Sequence, residues 1–199
     1  MNVQLEVENN QEKKRIILEN MLDLIDEHGL MGVPMSLLAK RAGIAAGTIY
    51  HYFDSKDTMI MELFEYVRKT ISDQIFKIKD LTSTRYEVGF KCIWINLYHY
   101  FTQNPKVLSF MEQFFSSPFQ RMIHSDQNKL YEDHFKGFFQ RAIRDQYIKP
   151  YDINIIACLY MGGLISAAKQ HNNGFHTFTE EKLADMADIL WEGLRSRSN

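Results

Sequence analysis

Residues 36 to 53 read Ser36-Leu37-Leu38-Ala39-Lys40-Arg41-Ala42-Gly43-Ile44-Ala45-Ala46-Gly47-Thr48-Ile49-Tyr50-His51-Tyr52-Phe53. Two short helices joined by a tight turn fit this string. Pro34 suits the first position of one helix, and Gly43 suits its end. Ala39 is small where two helices must cross closely. Ile44 and Ile49 are apolar where the second helix must seat on the first. This is the logic of a helix-turn-helix, whose second helix projects an exposed face into the major groove. That face carries Thr48, Tyr50, His51 and Tyr52, whose hydroxyl, phenols and imidazole can bond phosphates or base edges. Lys56 adds a cation at the start of the next helix.

Working outward, apolar residues recur at three-to-four spacing along the chain, the mark of amphipathic helices. A first helix is expected from Glu12 to His28, with Ile17, Met21, Leu24, Ile25 and His28 on one face and Gly29 as its stop. After Ala46–Phe53, Ser55 can cap a helix whose stripe is Ile60, Leu63, Phe64, Val67, Ile71, Ile75 and Ile78. Further helices are expected over 85–103, 105–115, 118–146 with a break near Ser125, 152–171, and from a Thr179 cap onward. The class is all-α: an N-terminal three-helix helix-turn-helix bundle and a larger C-terminal helical domain. The division expected is a flexible arm over 1–12, a DNA-binding domain over 13–57, a connecting helix over 58–79, and a domain for ligand and dimer contacts over 80–199.

From Lys13 to Leu63 the sequence resembles the N-terminal domain of the tetracycline-repressor (TetR/AcrR) family. The resemblance lies in Ile-Leu-Glu-Asn at 17–20, Glu-His-Gly at 27–29, Leu-Ala-Lys-Arg-Ala-Gly-Ile at 38–44, Gly-Thr-Ile-Tyr-His-Tyr-Phe at 47–53 and Ser-Lys-Asp at 55–57. It implies a homodimeric transcription regulator, a repressor released from a palindromic DNA operator by a small-molecule effector. The candidate DNA contacts are Lys40, Arg41, Gly47, Thr48, Tyr50, His51, Tyr52 and Lys56. Ala45, Ala46 and Val33-Pro34 depart from the family, which often places hydroxyl or longer polar residues there. Residues 1–57 hold six bases and nine acids, a net of -3. Their cations must therefore cluster to meet phosphates.

The stretch 94–138 is rich in large rings, more than two or three packed helices usually need. Trp94, Tyr98, Phe101, Phe110, Met111, Phe114, His134 and Phe138 are candidates to line a cavity for an apolar or aromatic effector. Asn96, His99 and Gln113 could orient it. Small residues between 152 and 171, namely Ala157, Gly162, Gly163, Ala167 and Ala168, would let another helix approach closely. The resemblance implies that this helix and the last one pair with their copies in a dimer.

Composition bounds the alternatives. The 199 residues are 45% apolar and 24% charged, with a formal charge of -2. No global basic field points to nucleic acid, so that reading rests on the local motif. Two cysteines, Cys92 and Cys158, exclude a disulfide scaffold and a four-cysteine zinc site. No phosphate loop, nucleophile elbow or His-Glu-x-x-His occurs, so no enzyme, cofactor or metal is expected. No apolar run reaches the roughly 18 residues of a membrane span, and the acidic start is unlike a signal peptide. A cytoplasmic location is expected. The alternatives are a helical interaction module with weakened DNA binding and a metal-responsive regulator built on scattered histidines such as His171 and His176.

Overall fold

The structure, a computed structural model, describes residues 2–76, 85–123 and 129–196, with the side chains of 2–8, 76 and 129–134 outside the description. Among the described residues the elements are α1 (Asn2–His28), α2 (Met35–Ala42), α3 (Ala46–Tyr52), α4 (Lys56–Phe76), α5 (Tyr86–Gln103), α6 (Pro105–Phe115), a 3-10 turn (Pro118–Met122), α7 (Lys129–Arg144), α8 (Ile153–Asn172) and α9 (Glu180–Leu194). The fold is all-α. Helix α1 spans Asn2–His28, so residues 2–12 of the arm expected over 1–12 are helical. No Pro or Gly interrupts Asn2–His28, and Arg15 pairs with Glu12 and Glu19 at helical spacing. The long helix expected over 118–146 is instead a 3-10 turn followed by α7. Ser117 caps the turn, its Oγ accepting from Phe119 N at 3.2 Å. Ser125 and Ile78 fall outside the described residues.

The chain divides into two compact units, Met1–Arg68 with Lys106–Ile123, and Lys69–Pro105 with His124–Asn199. The C-terminal part is thus not one contiguous piece. Residues 106–123 join the first unit because of what they touch there. Phe114 stacks on Phe64, centroids 4.0 Å apart and rings 2° from parallel. Gln113 Oε1 accepts from Leu30 N at 2.7 Å, and Lys106 pairs with Asp23. Gln113 is therefore committed to the turn after α1, where Gly29 takes φ +77°, and not to a ligand. Ile17, Met21, Leu24 and Ile25 are buried as expected. His28 is exposed instead, beside Glu27 at 3.6 Å in the last turn of α1.

In the second unit α5 packs on α8 and α9, and α7 packs on α8. Asp152 caps α8, accepting from Asn154 N at 2.7 Å, and Thr179 caps α9. Gln146 takes φ 64° and ends α7, a turn a non-glycine residue rarely makes. The core is aromatic. Tyr160 meets Phe90, Trp94, Phe135 and Phe139 edge to face, with centroids 4.9 to 5.5 Å away. Its hydroxyl donates to Phe90 O at 2.8 Å, and burial pushes its pKa well up. Helix α8 is apolar enough, at a mean hydropathy of 1.2, to match a membrane span by length and composition, contrary to the sequence reading. Ile156, Tyr160, Leu164, Ala167 and Ala168 are nonetheless buried inside this unit.

Gly163 is the close-approach point: a Cβ there would lie 2.9 Å from Trp94 Cη2. Gly163→Ala is expected to lower unfolding stability by about 1 kcal/mol, the strain of overpacking outweighing alanine's helix preference. Urea denaturation measures it, and an unchanged midpoint would show that Trp94 has room to yield. In the first unit, Tyr66 donates to Glu19 Oε1 at 2.8 Å. Partial burial and then that hydrogen bond push its pKa from 10.0 to about 12. The folded state thus holds this proton more tightly, so its contribution is complete below pH 10 and is lost as pH rises through 12. Tyr66→Phe should flatten the alkaline fall of the melting temperature over that window.

Candidate nucleic-acid interface

The turn between α2 and α3 is built on one backbone conformation. Gly43 sits at φ 67°, ψ 30° and ends α2. Ile44 N then donates to Ala39 O at 3.0 Å, closing the turn. A Cβ on Gly43 would meet nothing within 4 Å, so the positive φ is what favours glycine there. Leu38 and Ala39 of α2 are buried, as are Ile49 of α3 and Phe53 just after it. These anchors leave the other side of α3 facing water. Tyr50 is 53% exposed, His51 is exposed, and Thr48 and Tyr52 are half-buried. Gly47 opens on space. Ala45 precedes α3 without a side-chain cap, and its carbonyl accepts from Thr48 N at 2.9 Å.

Of the cations expected beside this face, Lys56 and Arg41 have other partners. Lys56 Nζ donates to Met31 O at 3.0 Å and Val33 O at 2.9 Å. It ties the start of α4 to the loop before α2. Arg41 forms a two-pronged pair with Glu27 of α1, and that hydrogen bonding holds the Glu27 carboxyl below its usual range. Arg15 is taken by Glu12 and Glu19. Lys14 pairs with Glu62 and lies 5.2 Å over the Phe53 ring. Lys40 is exposed.

Sequence reasoning did not foresee the contribution of the early part of α1. Asn10, Gln11 and Lys14 form an open cleft of about 350 Å³ with His51 and Tyr52. Among the described residues no carboxylate lines it, in a segment that is acidic overall. The only available signal was the unbroken run without Gly or Pro ahead of Glu12.

The effector candidates separate between the two units. Phe110, Met111 and Phe114 belong to the first, and Trp94, Tyr98, Phe101 and Phe138 to the second. All but the half-buried Met111 are buried. Tyr98 Oη lies 3.0 Å from His171 Nδ1, and Trp94 Nε1 is buried without a hydrogen-bond partner among the described residues. The side chain of His134 lies outside the described residues. Of the proposed orienting groups, Asn96 is exposed and His99 pairs with Glu180 at 2.8 Å. Among the described residues no group of three or more His, Cys, Asp or Glu side chains is placed to hold a metal.

A glycine-turned helix pair, with a short second helix anchored on one side and polar on the other, defines a helix-turn-helix protein. Residues 17–63 match the model of bacterial regulatory proteins of the tetR family, and residues 86–195 match the tetracyclin repressor-like C-terminal domain. The chain belongs to the tetracycline-repressor family of transcription regulators, and not to an enzyme family. It is 34% identical over 95 residues to an uncharacterized helix-turn-helix transcriptional regulator of Haemophilus influenzae, covering 48% of this chain and 50% of that one. It spans about half the length, or less, of the curated relatives it matches. A TetR family regulator from Marinobacter aquaeolei shares the fold at TM-score 0.83 and 17% identity, over 96% of this chain and 99% of that one. So does FadR from Bacillus subtilis in complex with stearoyl-CoA, at 0.72 and 17%, over 89% and 95%. AibR in complex with isovaleryl coenzyme A and operator DNA aligns at 0.69 and 19%, over 90% and 98%.

Lys56→Met is expected to lower stability by about 1–2 kcal/mol, since two carbonyls of the 31–33 loop lose a charged donor. Chemical denaturation reads this directly. A variant as stable as the parent would mean that water replaces the ammonium at no cost.

Proposed function

We propose that the protein binds a palindromic operator as a homodimer in the cytoplasm and represses transcription until an acyl-CoA thioester releases it. The carrying observation is the two-sidedness of α3: Ile49 and the adjoining Phe53 are buried, while Tyr50 and His51 face solvent. Thr48, Tyr50 and His51 read or grip the DNA, and Lys40 adds a phosphate contact. Lys56 and Arg41 support the motif from behind through their own partners. Tyr52 and Gly47 border the contact surface. The effector class is supported by the CoA esters held by FadR and AibR and by the aromatic core of the second unit, which suits an apolar acyl chain. Trp94, Tyr98, Phe101 and Phe138 are its candidates there. Phe110, Met111 and Phe114 support the first unit.

The dimer is supported by an apolar stripe that the second unit leaves uncovered. Ile155 and Leu159 of α8 are 56% and 54% exposed, and Ile189 of α9 is 73% exposed. Gly162 lies on the same exposed side of α8. Ala167 and Ala168 are buried within the unit and Gly163 faces Trp94, so these small residues serve packing inside one chain. The engagement of Arg15, Arg41 and Lys56 by internal partners favours a second reading, an interaction module with weakened DNA binding.

Selection from random duplexes with the full-length chain separates the two readings. A single palindromic consensus is expected, with affinity falling steeply as salt rises. Thr48→Ala with Tyr50→Ala should weaken binding about 100-fold. Lys40→Ala should reduce the log–log salt slope by about 1, whereas Lys56→Met should not. Leu159→Glu should give a monomer in sedimentation and lose the operator. An acyl-CoA that releases DNA must itself bind more weakly to the DNA complex by the same factor. No enriched consensus would favour the interaction module.

A further inference from the structure

The Trp94 side chain is fully buried in the second unit, and its indole Nε1 has no hydrogen-bond acceptor among the described residues. Native interiors rarely leave such a donor unpaired, because it has been stripped of water with nothing in return. Trp94 stands edge-on to Tyr160, at 5.2 Å, and Tyr160 in turn packs against Phe90, Phe135 and Phe139. The Tyr160 hydroxyl is already committed to the Phe90 carbonyl. The cluster thus offers apolar rings and one free donor. Gly163 lets the far edge of the indole lie against α8, so the ring is held in place.

We propose that Trp94 Nε1–H is the donor that orients the effector, accepted by a neutral carbonyl oxygen whose apolar body lies among these rings. This rests on the acyl-CoA reading and names the group that recognises the thioester. A single neutral N–H can satisfy a carbonyl, but it cannot offset the buried charge of a free carboxylate. The preference is therefore for the thioester over the free acid. Any group that pushes the indole off Gly163 also disturbs the α5–α8 contact, which couples occupancy to the position of α8.

The test uses the full-length chain with isovaleryl-CoA and stearoyl-CoA, their free acids, and the matching thioethers, in which a methylene replaces the carbonyl. Calorimetry should show each preferred thioester binding about tenfold more tightly than its thioether, the scale of one hydrogen bond to a buried donor. With nitrogen-labelled tryptophan, the thioester should shift the Trp94 indole proton and leave Trp191 in place, while the thioether shifts neither. Replacing Trp94 by benzothienylalanine, which puts sulfur where the N–H stands, should equalise thioester and thioether without lowering the ligand-free melting temperature. Should that variant fail to fold, the wild-type proton shifts and the thioether comparison still decide. Equal wild-type affinity for thioester and thioether overturns the role of Trp94 and leaves the acyl-CoA reading standing. So does a replacement that melts earlier without ligand, since the N–H would then have an internal partner. Failure of both CoA esters to bind overturns the two together.

Discussion

Helix α3 is seven residues long, too short to hold its shape in water by its own hydrogen bonds. It exists because Ile49 and Phe53 are buried on one side and because Gly43 turns the chain onto α2. Everything proposed for the first unit depends on that anchoring. With Ile49 and Phe53 fixed inward, helical spacing leaves Tyr50 and His51 outward. The presenting surface is a by-product of the burial pattern and needs no further device to aim it.

Charge in this unit follows a related economy. The segment is acidic, yet three of its six bases are paired with nearby acids: Glu27 holds Arg41, Glu12 and Glu19 hold Arg15, and Glu62 of α4 holds Lys14. These pairs are largely exposed, so each adds little stability. Their larger effect is on the field around α3, since acids already paired repel an approaching phosphate less. The Asn10–Gln11 cleft adds polar groups beside His51.

The helix-turn-helix was legible because Pro34, Gly43 and the small-residue turn punctuate it within a few residues, and the helix limits there agree within one position. The start of α1 was missed because Val3, Leu5 and Val7 do not fall at helical spacing, and a lack of breakers says less than a stripe. The roles of Lys56 and Arg41 could not be read, since the partners of Lys56 are backbone carbonyls 23 and 25 residues away and that of Arg41 is a glutamate on another helix. In α8, apolar and small residues occupy nearly every face, so period alone could not tell the buried Ala167 from the exposed Gly162. The mixed set of candidate rings divides for a similar reason. Burial makes a ring apolar in sequence whether it packs in one unit or the other, and only the chain's path assigns Phe110 and Phe114 to the first.

That path bears on how the protein can be made and cut. Because Lys106–Ile123 completes the first unit, the DNA-facing part cannot be finished until more than half the chain has left the ribosome. Until then Phe64, Leu30 and Asp23 lack the partners that α6 brings. A fragment ended after α4 would leave the stacking face of Phe64 bare and prone to association. Grafting this reading head onto another sensor therefore calls for carrying two separated stretches of chain, not one.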